Sequence, residues 1–332
     1  MKIGLIDVDA VSRGKVTFPN LSLMKISAWH KKQGDHVEWY IPGLSDHMNI
    51  VYMAKVFGNE YSKDYPFEPD ADWVIKGGSG YAISIDQERE TYNKAIDYSL
   101  PEEIEHIMPD YSIYNITDTA YGFLTRGCPR GCAFCHVKEM QGLKTHTVAN
   151  LSEFWDGQKY IKLLDPNLTA SRDYEMHMTE LAESKAYVDF TQGLDARLLT
   201  KRKIELLNDV KWKRIHFAWD KPSEDLRPQF TLLKENLKSC NHGRISAYIL
   251  TNFDSTHEQD IMRIQFLRSL DIQPYVMIYR KETAPKETRQ LQRWCSPFVF
   301  WKTPTFEDYK ASTHNSEKGR KKNTEGITNG ND

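Results

Sequence analysis

Short apolar stretches alternate with amphipathic stretches in the first part of the chain. Lys2–Val8 is apolar, and Leu21–Lys32 carries apolar residues at helical spacing directly after Asn20, a good helix N-cap. Three further strand-like stretches follow, at His36–Ile41, Ile50–Tyr52 and Trp73–Ile75. Because strands that alternate with helices form parallel sheets, residues 1–83 are predicted to be a small Rossmann-like α/β domain.

The same alternation is repeated between residues 119 and 280. Six strand candidates lie there, at Ala120–Thr125, Tyr160–Leu164, Tyr187–Thr191, Arg214–Ala218, Ile245–Leu250 and Pro274–Ile278. Helical stretches are predicted between them, after Asn150, Thr200 and Thr256. Repeated strand–helix units with right-handed crossovers curl into a barrel or partial barrel. The fold class predicted for the whole chain is therefore α/β.

Three segments lie outside these two regions. Residues 84–118 are acidic and aromatic, and we expect them to link the two regions and pack along the second. Residues 281–311 mix basic and aromatic side chains, for which a helix and strand that close the barrel are favoured over a nucleic-acid surface. Residues 312–332 are polar and are predicted to be disordered.

Composition and charge point to a globular protein. The chain is 40% hydrophobic and 27% charged, and its net charge of -2 gives no electrostatic drive toward nucleic acid or an anionic membrane. No apolar stretch approaches the length of a membrane span, and the first residues are typical of a strand rather than an export signal. We therefore expect a cytoplasmic protein with neither a membrane nor a nucleic acid as its partner.

Three cysteines lie close together in the run Gly127-Cys-Pro-Arg-Gly-Cys-Ala-Phe-Cys-His136. Their spacing, C-x3-C-x2-C, puts the thiols of Cys128, Cys132 and Cys135 on one tight loop. Cubane iron–sulfur clusters are ligated by cysteine sulfur, so such a loop can hold three corners of a [4Fe-4S] cluster. The fourth iron would then keep an open position at which another molecule can bind.

This run, with Phe134 directly before the third cysteine, resembles the signature of the radical S-adenosylmethionine (SAM) superfamily. The resemblance implies a (β/α)6 partial TIM-like barrel, and six strand candidates match that number. It also implies that SAM chelates the open iron and is cleaved to a 5′-deoxyadenosyl radical, with the electron supplied by a reductant such as flavodoxin or ferredoxin. That radical would abstract hydrogen from a substrate that the sequence does not identify. Phe134 would lie near the adenine of SAM.

Two other interpretations of the cysteines are open. Cys132-Ala-Phe-Cys135-His136 also matches the C-x-x-C-H pattern of haem attachment, but that pattern leaves Cys128 without a role. Three cysteines and His136 are chemically suitable zinc ligands, although structural zinc sites usually draw on two separated knuckles. A non-catalytic metal-binding module, holding zinc or an iron–sulfur cluster and with or without an RNA ligand, is therefore the alternative to an enzyme.

Function in such barrels collects at the carboxyl ends of the strands. The candidate cofactor-binding residues there are Phe134, Asp165, Asn167, Gln192, Asp195, Arg197, Trp219, Asn252 and Tyr279. Asp165 would replace the acid of the family's Gly-Gly-Glu motif, which meets the SAM ammonium, and Arg197 would bind a carboxylate. The alternatives are a local ion pair between Asp195 and Arg197 and a core position for Trp219.

The first domain is similar to the cobalamin-binding domain of cobalamin-dependent radical SAM enzymes, in which a late strand also ends in paired glycines, here Gly77-Gly78. The chain lacks the Asp-x-His-x-x-Gly motif whose histidine would bind cobalt. Cobalamin is therefore disfavoured, and a cobalamin-dependent radical SAM methyltransferase is the alternative enzyme. A shrunken domain that serves for dimerisation or covers the active site is the preferred interpretation.

The two remaining cysteines, Cys240 and Cys295, are too few to ligate a second cubane cluster. We expect both to be ordinary reduced thiols in a reducing cytoplasm.

Overall fold

The computed structural model describes residues 1–86 and 89–310, so the predicted disordered tail over residues 312–332 lies outside the described residues. The strands are β1 Lys2–Asp7, β2 His36–Trp39, β3 Met48–Ala54, β4 Ala71–Gly77, β5 Ile83–Asp86, β6 Arg89–Tyr92, β7 Thr119–Gly122, β8 Thr125–Arg126, β9 His146–Thr147, β10 Tyr160–Leu163, β11 Tyr187–Phe190, β12 Lys211–Trp212, β13 Ile215–Ala218, β14 Ile245–Thr251 and β15 Gln273–Ile278. The α-helices are α1 Val8–Arg13, α2 Leu21–Lys32, α3 Ser79–Ala82, α4 Glu102–Glu105, α5 Val137–Gln141, α6 Tyr174–Ser184, α7 Lys201–Asp209, α8 Arg227–Asn236, α9 His257–Ser269, α10 Lys286–Trp294 and α11 Pro297–Phe300. Short 3-10 turns cover Lys94–Ile96, Tyr111–Tyr114, Leu151–Glu153, Leu168–Ala170 and Ala196–Leu198.

The described residues divide into two compact units. The first unit contains Met1–Gln192 and Asp209–Trp212. The second contains Gly193–Asn208 and the described residues from Lys213 onward. The five segments predicted from the sequence stay predictions. Among the described helices, none is long and apolar enough to cross a membrane.

The first unit begins with a parallel sheet in the order β2-β1-β3-β4. Helix α2 begins where the Asn20 side chain accepts a hydrogen bond from the Leu23 N–H at 3.1 Å. Leu23 and Ile26 of this helix pack against Ile3 and Leu5 of β1 and so cover one face of the sheet. The alternation of strands and helices at the start of the chain therefore forms the small parallel α/β sheet that the sequence predicts.

The first unit also contains a second parallel sheet, in the order β12-β11-β10-β7. Part of the segment between the two sheets packs on each of them. Ile104 belongs to the apolar cluster on the first sheet, and the Tyr111 hydroxyl donates to the Phe154 carbonyl at 2.6 Å and accepts from the Tyr121 N–H at 3.0 Å. Residues 84–118 thus contact the first sheet as well as the second, and they supply most of a hairpin, β5–β6, that the sequence analysis did not predict.

The second unit is built on a three-stranded parallel sheet in the order β13-β14-β15. Helix α9, predicted after Thr256, starts with a capping box in which Thr256 and Gln259 each accept the other's backbone N–H. Helix α10 packs beside β15, where the Gln292 amide donates to the Val276 carbonyl at 2.9 Å. Over residues 281–310 the structure has α10 and α11 and no strand, so the predicted closing strand is absent from this range.

All six strands predicted between residues 119 and 280 are present, with ends that differ by a few residues. Three of them, β7, β10 and β11, form a four-stranded parallel sheet with β12, and the other three form a three-stranded parallel sheet, so a mixed α/β fold with parallel sheets is established. The six-stranded partial barrel stays a prediction. The helix predicted after Asn150 is only a 3-10 turn, because the chain leaves the helical conformation at Phe154, where φ is -137°. Helix α6 lies between β10 and β11 instead.

Candidate metal centre

The cysteine loop is closed at its base by a two-stranded antiparallel ladder. Strands β8 and β9 pair through Arg126 and His146, so the chain leaves and returns at one place. Within the loop the Cys128 N–H donates to the Gly142 carbonyl at 3.1 Å, and the Gly127 N–H donates to the Gln141 side chain at 3.1 Å. These bonds fix the entry of the loop before the first cysteine.

Gly127 is required at this entry for two reasons. Its φ is 84°, in the left-handed region that favours glycine. A β-carbon there would also lie 2.2 Å from the carbonyl oxygen of Lys144, on the returning arm of the loop. The glycine before the first cysteine therefore lets the two arms of the loop meet.

The three thiols are half-buried and free of disulfides. The Cys135 N–H donates to the Cys132 carbonyl at 3.1 Å, which folds the end of the loop into a tight turn. Burial raises the pKa of Cys135, and the charges of Cys132 and Cys128 raise this pKa further. The thiols are thus close enough to influence one another electrostatically.

The donor set fits an iron–sulfur cluster chemically. Three cysteine sulfurs from one loop are soft ligands of the kind that such clusters use. Within residues 1–86 and 89–310, no three His, Cys, Asp or Glu side chains converge in a way that would hold a single metal ion. In a cubane cluster each cysteine binds a different iron, so convergence on one point is not a requirement of that site.

Asp165, at the carboxyl end of β10, holds the chain just before the cysteine loop. Its carboxylate accepts the Leu124 N–H at 3.2 Å, the Thr125 N–H at 2.5 Å and the Thr125 hydroxyl at 2.6 Å. Burial raises the pKa of Asp165 to about 6, and these hydrogen bonds act in the opposite direction. Asp165 therefore anchors β8 to β10, and its predicted contact with SAM stays a prediction.

Asn167 brings the same strand end to the cysteines. Its side-chain amide is buried and donates to the Cys128 sulfur at 3.4 Å. An N–H directed at a ligating sulfur stabilises negative charge there, which is one of the ways in which proteins set cluster potentials. The sequence placed Asn167 among the SAM contacts, and the structure gives it a contact with a cysteine.

The remaining candidates in the first unit are Phe134 and Gln192. Phe134 is half-buried on the cysteine loop, and Gln192 is exposed at the end of the unit. His136 stacks on Tyr92 with ring centroids 6.0 Å apart, and its Nε2 lies 3.8 Å from the Glu90 carboxylate. The hairpin β5–β6 thus contacts the residue that follows the third cysteine.

In the second unit, Asp195 and Arg197 form the local ion pair that the sequence left open as an alternative. The Arg197 Nε donates to Asp195 at 2.6 Å, and its Nη1 donates to Glu224 at 3.0 Å. Burial lowers the pKa of Arg197, but the two carboxylates outweigh it and raise the pKa above its usual value. A role for this guanidinium toward SAM stays a prediction.

Trp219, Asn252 and Tyr279 lie at strand ends of the second unit, and their predicted contacts with SAM stay predictions. Trp219 is buried, stacks on Phe230 and donates its indole N–H to the Glu224 carbonyl at 2.8 Å. Asn252 has a φ of 62° and donates its amide to the Tyr279 carbonyl at 2.8 Å, which ties the end of β14 to the end of β15. Trp219 therefore has the contacts of a core residue, the alternative that the sequence offered.

Sequence reasoning missed Arg263, which lies on α9 and is fully buried. Its guanidinium donates to the carbonyls of Trp219 at 2.6 Å, Asp220 at 3.0 Å and Leu250 at 3.1 Å, and it pairs with Asp260. A signal existed, since Asp260 and Arg263 are spaced three residues apart on the helix face that also carries the buried Ile264 and Leu267.

Arg263 also lies near a second acid of unusual pKa. Burial raises the pKa of Asp220 to about 6, while Arg197 and Arg263 act to lower it. A carboxyl with a pKa near neutrality at a strand end is suited to accept or donate a proton. Asp220 is therefore a further candidate functional residue of the second unit.

Cys240 and Cys295 are both buried in the second unit. Burial raises the pKa of Cys240 to about 11 and raises that of Cys295 well above its usual value. Both thiols are therefore protonated and unreactive near neutral pH.

At the carboxyl end of the first sheet, the segments that follow the strands contact one another. In doubly wound sheets of this strand order, ligands bind where β1 and β3 separate. Here the carboxylate of Asp9, just after β1, accepts the Val56 N–H, just after β3, at 2.7 Å. A β-carbon at Gly78 would lie 2.3 Å from the Lys55 carbonyl oxygen, so this glycine serves backbone packing.

Comparison with known proteins gives a likeness of structure. No protein-family model matches the sequence, and a search of curated proteins finds no match. Among solved structures, the chain is similar to the radical S-adenosylmethionine methyltransferase TsrM from Kitasatospora setae, solved with cobalamin and a [4Fe-4S] cluster bound. The TM-score is 0.58 at 11% identity, over 83% of this chain and 74% of that chain. The likeness is one of fold. Because residues 119–332 cannot supply 83% of the chain, it extends into the first 118 residues.

Proposed function

We propose that this chain is a radical SAM enzyme that cleaves S-adenosylmethionine reductively at a three-cysteine [4Fe-4S] cluster and uses the resulting radical to abstract hydrogen from a substrate. The observation that carries the proposal is the C-x3-C-x2-C loop, whose three half-buried thiols follow the first strand of a parallel sheet. The fold likeness to a radical SAM methyltransferase supports it.

The chain's own residues have distinct parts in this proposal. Cys128, Cys132 and Cys135 would hold the cluster, which when bound would supply the electron for SAM cleavage. Asp165 holds the loop base through the backbone of Leu124 and Thr125. Phe134, on the loop, would lie near the adenine, as the family resemblance implies.

The other SAM contacts rest on sequence alone. Gln192, Asp195, Arg197, Asn252 and Tyr279 follow strand ends, as SAM contacts do in barrels of this class. The electron would come from a partner such as flavodoxin or ferredoxin. The identity of the substrate is outside the proposal.

A cobalamin-dependent radical SAM methyltransferase is the second candidate, because TsrM carries cobalamin and its likeness includes part of the first 118 residues. The chain lacks the Asp-x-His-x-x-Gly motif whose histidine would bind cobalt. This lack favours the cobalamin-independent proposal.

The test of the proposal is an anaerobic turnover of the reconstituted chain with dithionite and SAM. We expect 5′-deoxyadenosine, measured by liquid chromatography and mass spectrometry, and a change in the electron paramagnetic resonance spectrum of the reduced protein when SAM is added. The Cys240→Ala variant should behave as the wild type, because this thiol is buried in the second unit. Absence of both signals would favour the non-catalytic metal-binding module.

The second candidate is tested on the same sample. Reconstitution with hydroxocobalamin followed by gel filtration should leave no corrin absorbance with the protein. If the protein instead retained a stoichiometric amount of cobalamin, the methyltransferase would be supported. This retention should then be lost when residues of the first sheet are replaced and kept when the cysteines of the loop are replaced.

A further inference from the structure

Strand β4 is an exposed edge of the first sheet. In the described part of the chain, β4 pairs with β3 on one side and has no strand on the other. Trp73 is 70% exposed and Ile75 is 46% exposed. Both lie on the face of the sheet against which α2 packs, but α2 packs over β1 and leaves these two side chains uncovered. Free edges of this kind are usually shortened or protected by charges, because they pair readily with another strand.

The backbone of β4 is oriented for such pairing. The Lys55 N–H of the neighbouring segment donates to the Gly77 carbonyl at 3.0 Å, so Gly77 directs its peptide groups toward β3. Peptide groups alternate in direction along a strand. Val74 and Lys76 therefore direct their N–H and carbonyl groups to the open side.

The sequence of β4 is complementary to itself in the antiparallel direction. If two copies pair about a twofold axis at Val74, Trp73 lies opposite Ile75 of the second copy. Asp72 then lies opposite Lys76 of the second copy, and each such pair occurs twice. The Asp72 side chain already accepts bonds from His47 and Asn49, but half of it remains exposed to a second partner.

The strand order of the sheet also identifies the outer edge of β4 as a position for another strand. Doubly wound sheets of the order 2-1-3-4-5 cover their fourth strand with a fifth. This sheet stops at 2-1-3-4, so the position of the fifth strand beside β4 is open in the described residues. The β4 strand of another copy would occupy that position and bury Trp73.

We propose that the chain forms a homodimer in which β4 pairs antiparallel with β4 of a second copy, centred on Val74. Backbone bonds between the two Val74 residues form at the axis, two Trp73–Ile75 contacts cover one face, and two Asp72–Lys76 pairs fix the register. The proposal is independent of the cysteine site.

The test is sedimentation equilibrium of the full chain at micromolar concentrations. The wild type should dimerise, and Lys76→Asp should raise the dissociation constant at least ~10-fold, because it places like charges opposite each other twice. The double variant Asp72→Lys/Lys76→Asp restores opposite charges and should recover most of the affinity. Val74→Pro should also weaken the dimer, since proline is tolerated on an edge strand but lacks the outward N–H.

Hydrogen exchange of the wild type provides a readout that needs no substitution. The amides of Val74 and Lys76 should exchange fast in dilute protein and slowly in concentrated protein, while those of Trp73 and Ile75, which point toward β3, should not depend on concentration. A monomeric wild type, a dimer that Lys76→Asp and Val74→Pro leave unchanged, or β4 amides insensitive to concentration would each overturn the proposal.

Discussion

The strand ends of the two units are held by buried charges of opposite sign. In the first unit, the start of β8 and the end of β10 are joined by the carboxylate of Asp165, which accepts backbone N–H groups. In the second unit, the ends of β13 and β14 are joined by the guanidinium of Arg263, which donates to backbone carbonyls. We call these the acid-held end and the arginine-held end.

The difference shows what each end can do. A carboxylate that binds strand amides is anchored to the main chain immediately before the cysteine loop, so it sets where that loop begins. A guanidinium whose donors are taken by four carbonyls and the Asp260 carboxylate has none left for a ligand, so its role is to fix the strands. The acid-held end is organised around a loop, and the arginine-held end is organised around a packed helix.

The largest effect is expected from Arg263→Met. The variant loses all the carbonyl bonds of the guanidinium and leaves Asp260 buried without its partner, so we expect a loss of about 3–5 kcal/mol in the free energy of unfolding. Denaturant titration measures it. Asp260→Leu/Arg263→Met removes both charges and should be less destabilised than the single variant. Equal losses would mean that the ion pair is not what the fold depends on.

Asp165→Ala should destabilise the chain by a smaller amount, about 2 kcal/mol, because it leaves the Leu124 and Thr125 donors buried without an acceptor. It should also speed hydrogen exchange across residues 124–128, at the base of the cysteine loop. The control is Asp156→Ala, an exposed acid of the same unit. If both variants exchange alike, Asp165 does not hold the loop.

The pH dependence of stability distinguishes the second acid, Asp220. Its pKa is raised in the folded state to about 6, so its contribution to stability is present below about pH 4 and is lost as the pH rises through 6. Relative to Asp220→Asn, the wild type should lose about 1–2 kcal/mol between pH 4 and pH 6.5. The matched control is Asp225, whose pKa is lowered to about 2. The difference in stability between the wild type and Asp225→Asn should stay nearly constant over this pH range.

The smallest effect concerns Asn167 and leaves the fold intact. With iron and sulfide reconstituted, Asn167→Ala should make the midpoint potential of the cluster more negative, because the amide N–H no longer stabilises charge on the Cys128 sulfur. Asn208→Ala, which removes an amide that donates to the Asn236 carbonyl, should leave the potential unchanged. A redox titration followed by electron paramagnetic resonance decides between them.

The sequence predicts the elements better than their assembly. Apolar stretches with clear caps, such as the one after Asn20, lie where the structure has them. Helix α6 was not predicted, because His177 lies on its buried face and interrupts the apolar pattern. In the hairpin β5–β6, the first strand alternates apolar and polar residues over only four positions and the second has one apolar residue, Tyr92, so the periodic signal is too short to identify a strand pair.

The candidate site likewise has a part that the sequence predicts and a part that it does not. Cysteine spacing is a local property, so the loop was found from the sequence. The contacts of Asp165 with Thr125 and of Asn167 with Cys128 join residues about forty positions apart, and no local pattern encodes them. Arg263 was missed because a charged residue on a helix is by default expected at the surface.

The most direct test of the central claim is the iron and acid-labile sulfide content of the chain after anaerobic reconstitution. We predict about four irons and four sulfides per chain for the wild type, and almost none when Cys128, Cys132 and Cys135 are all replaced by alanine. Zinc without iron in the wild type, or iron that the triple replacement leaves unchanged, would contradict the account.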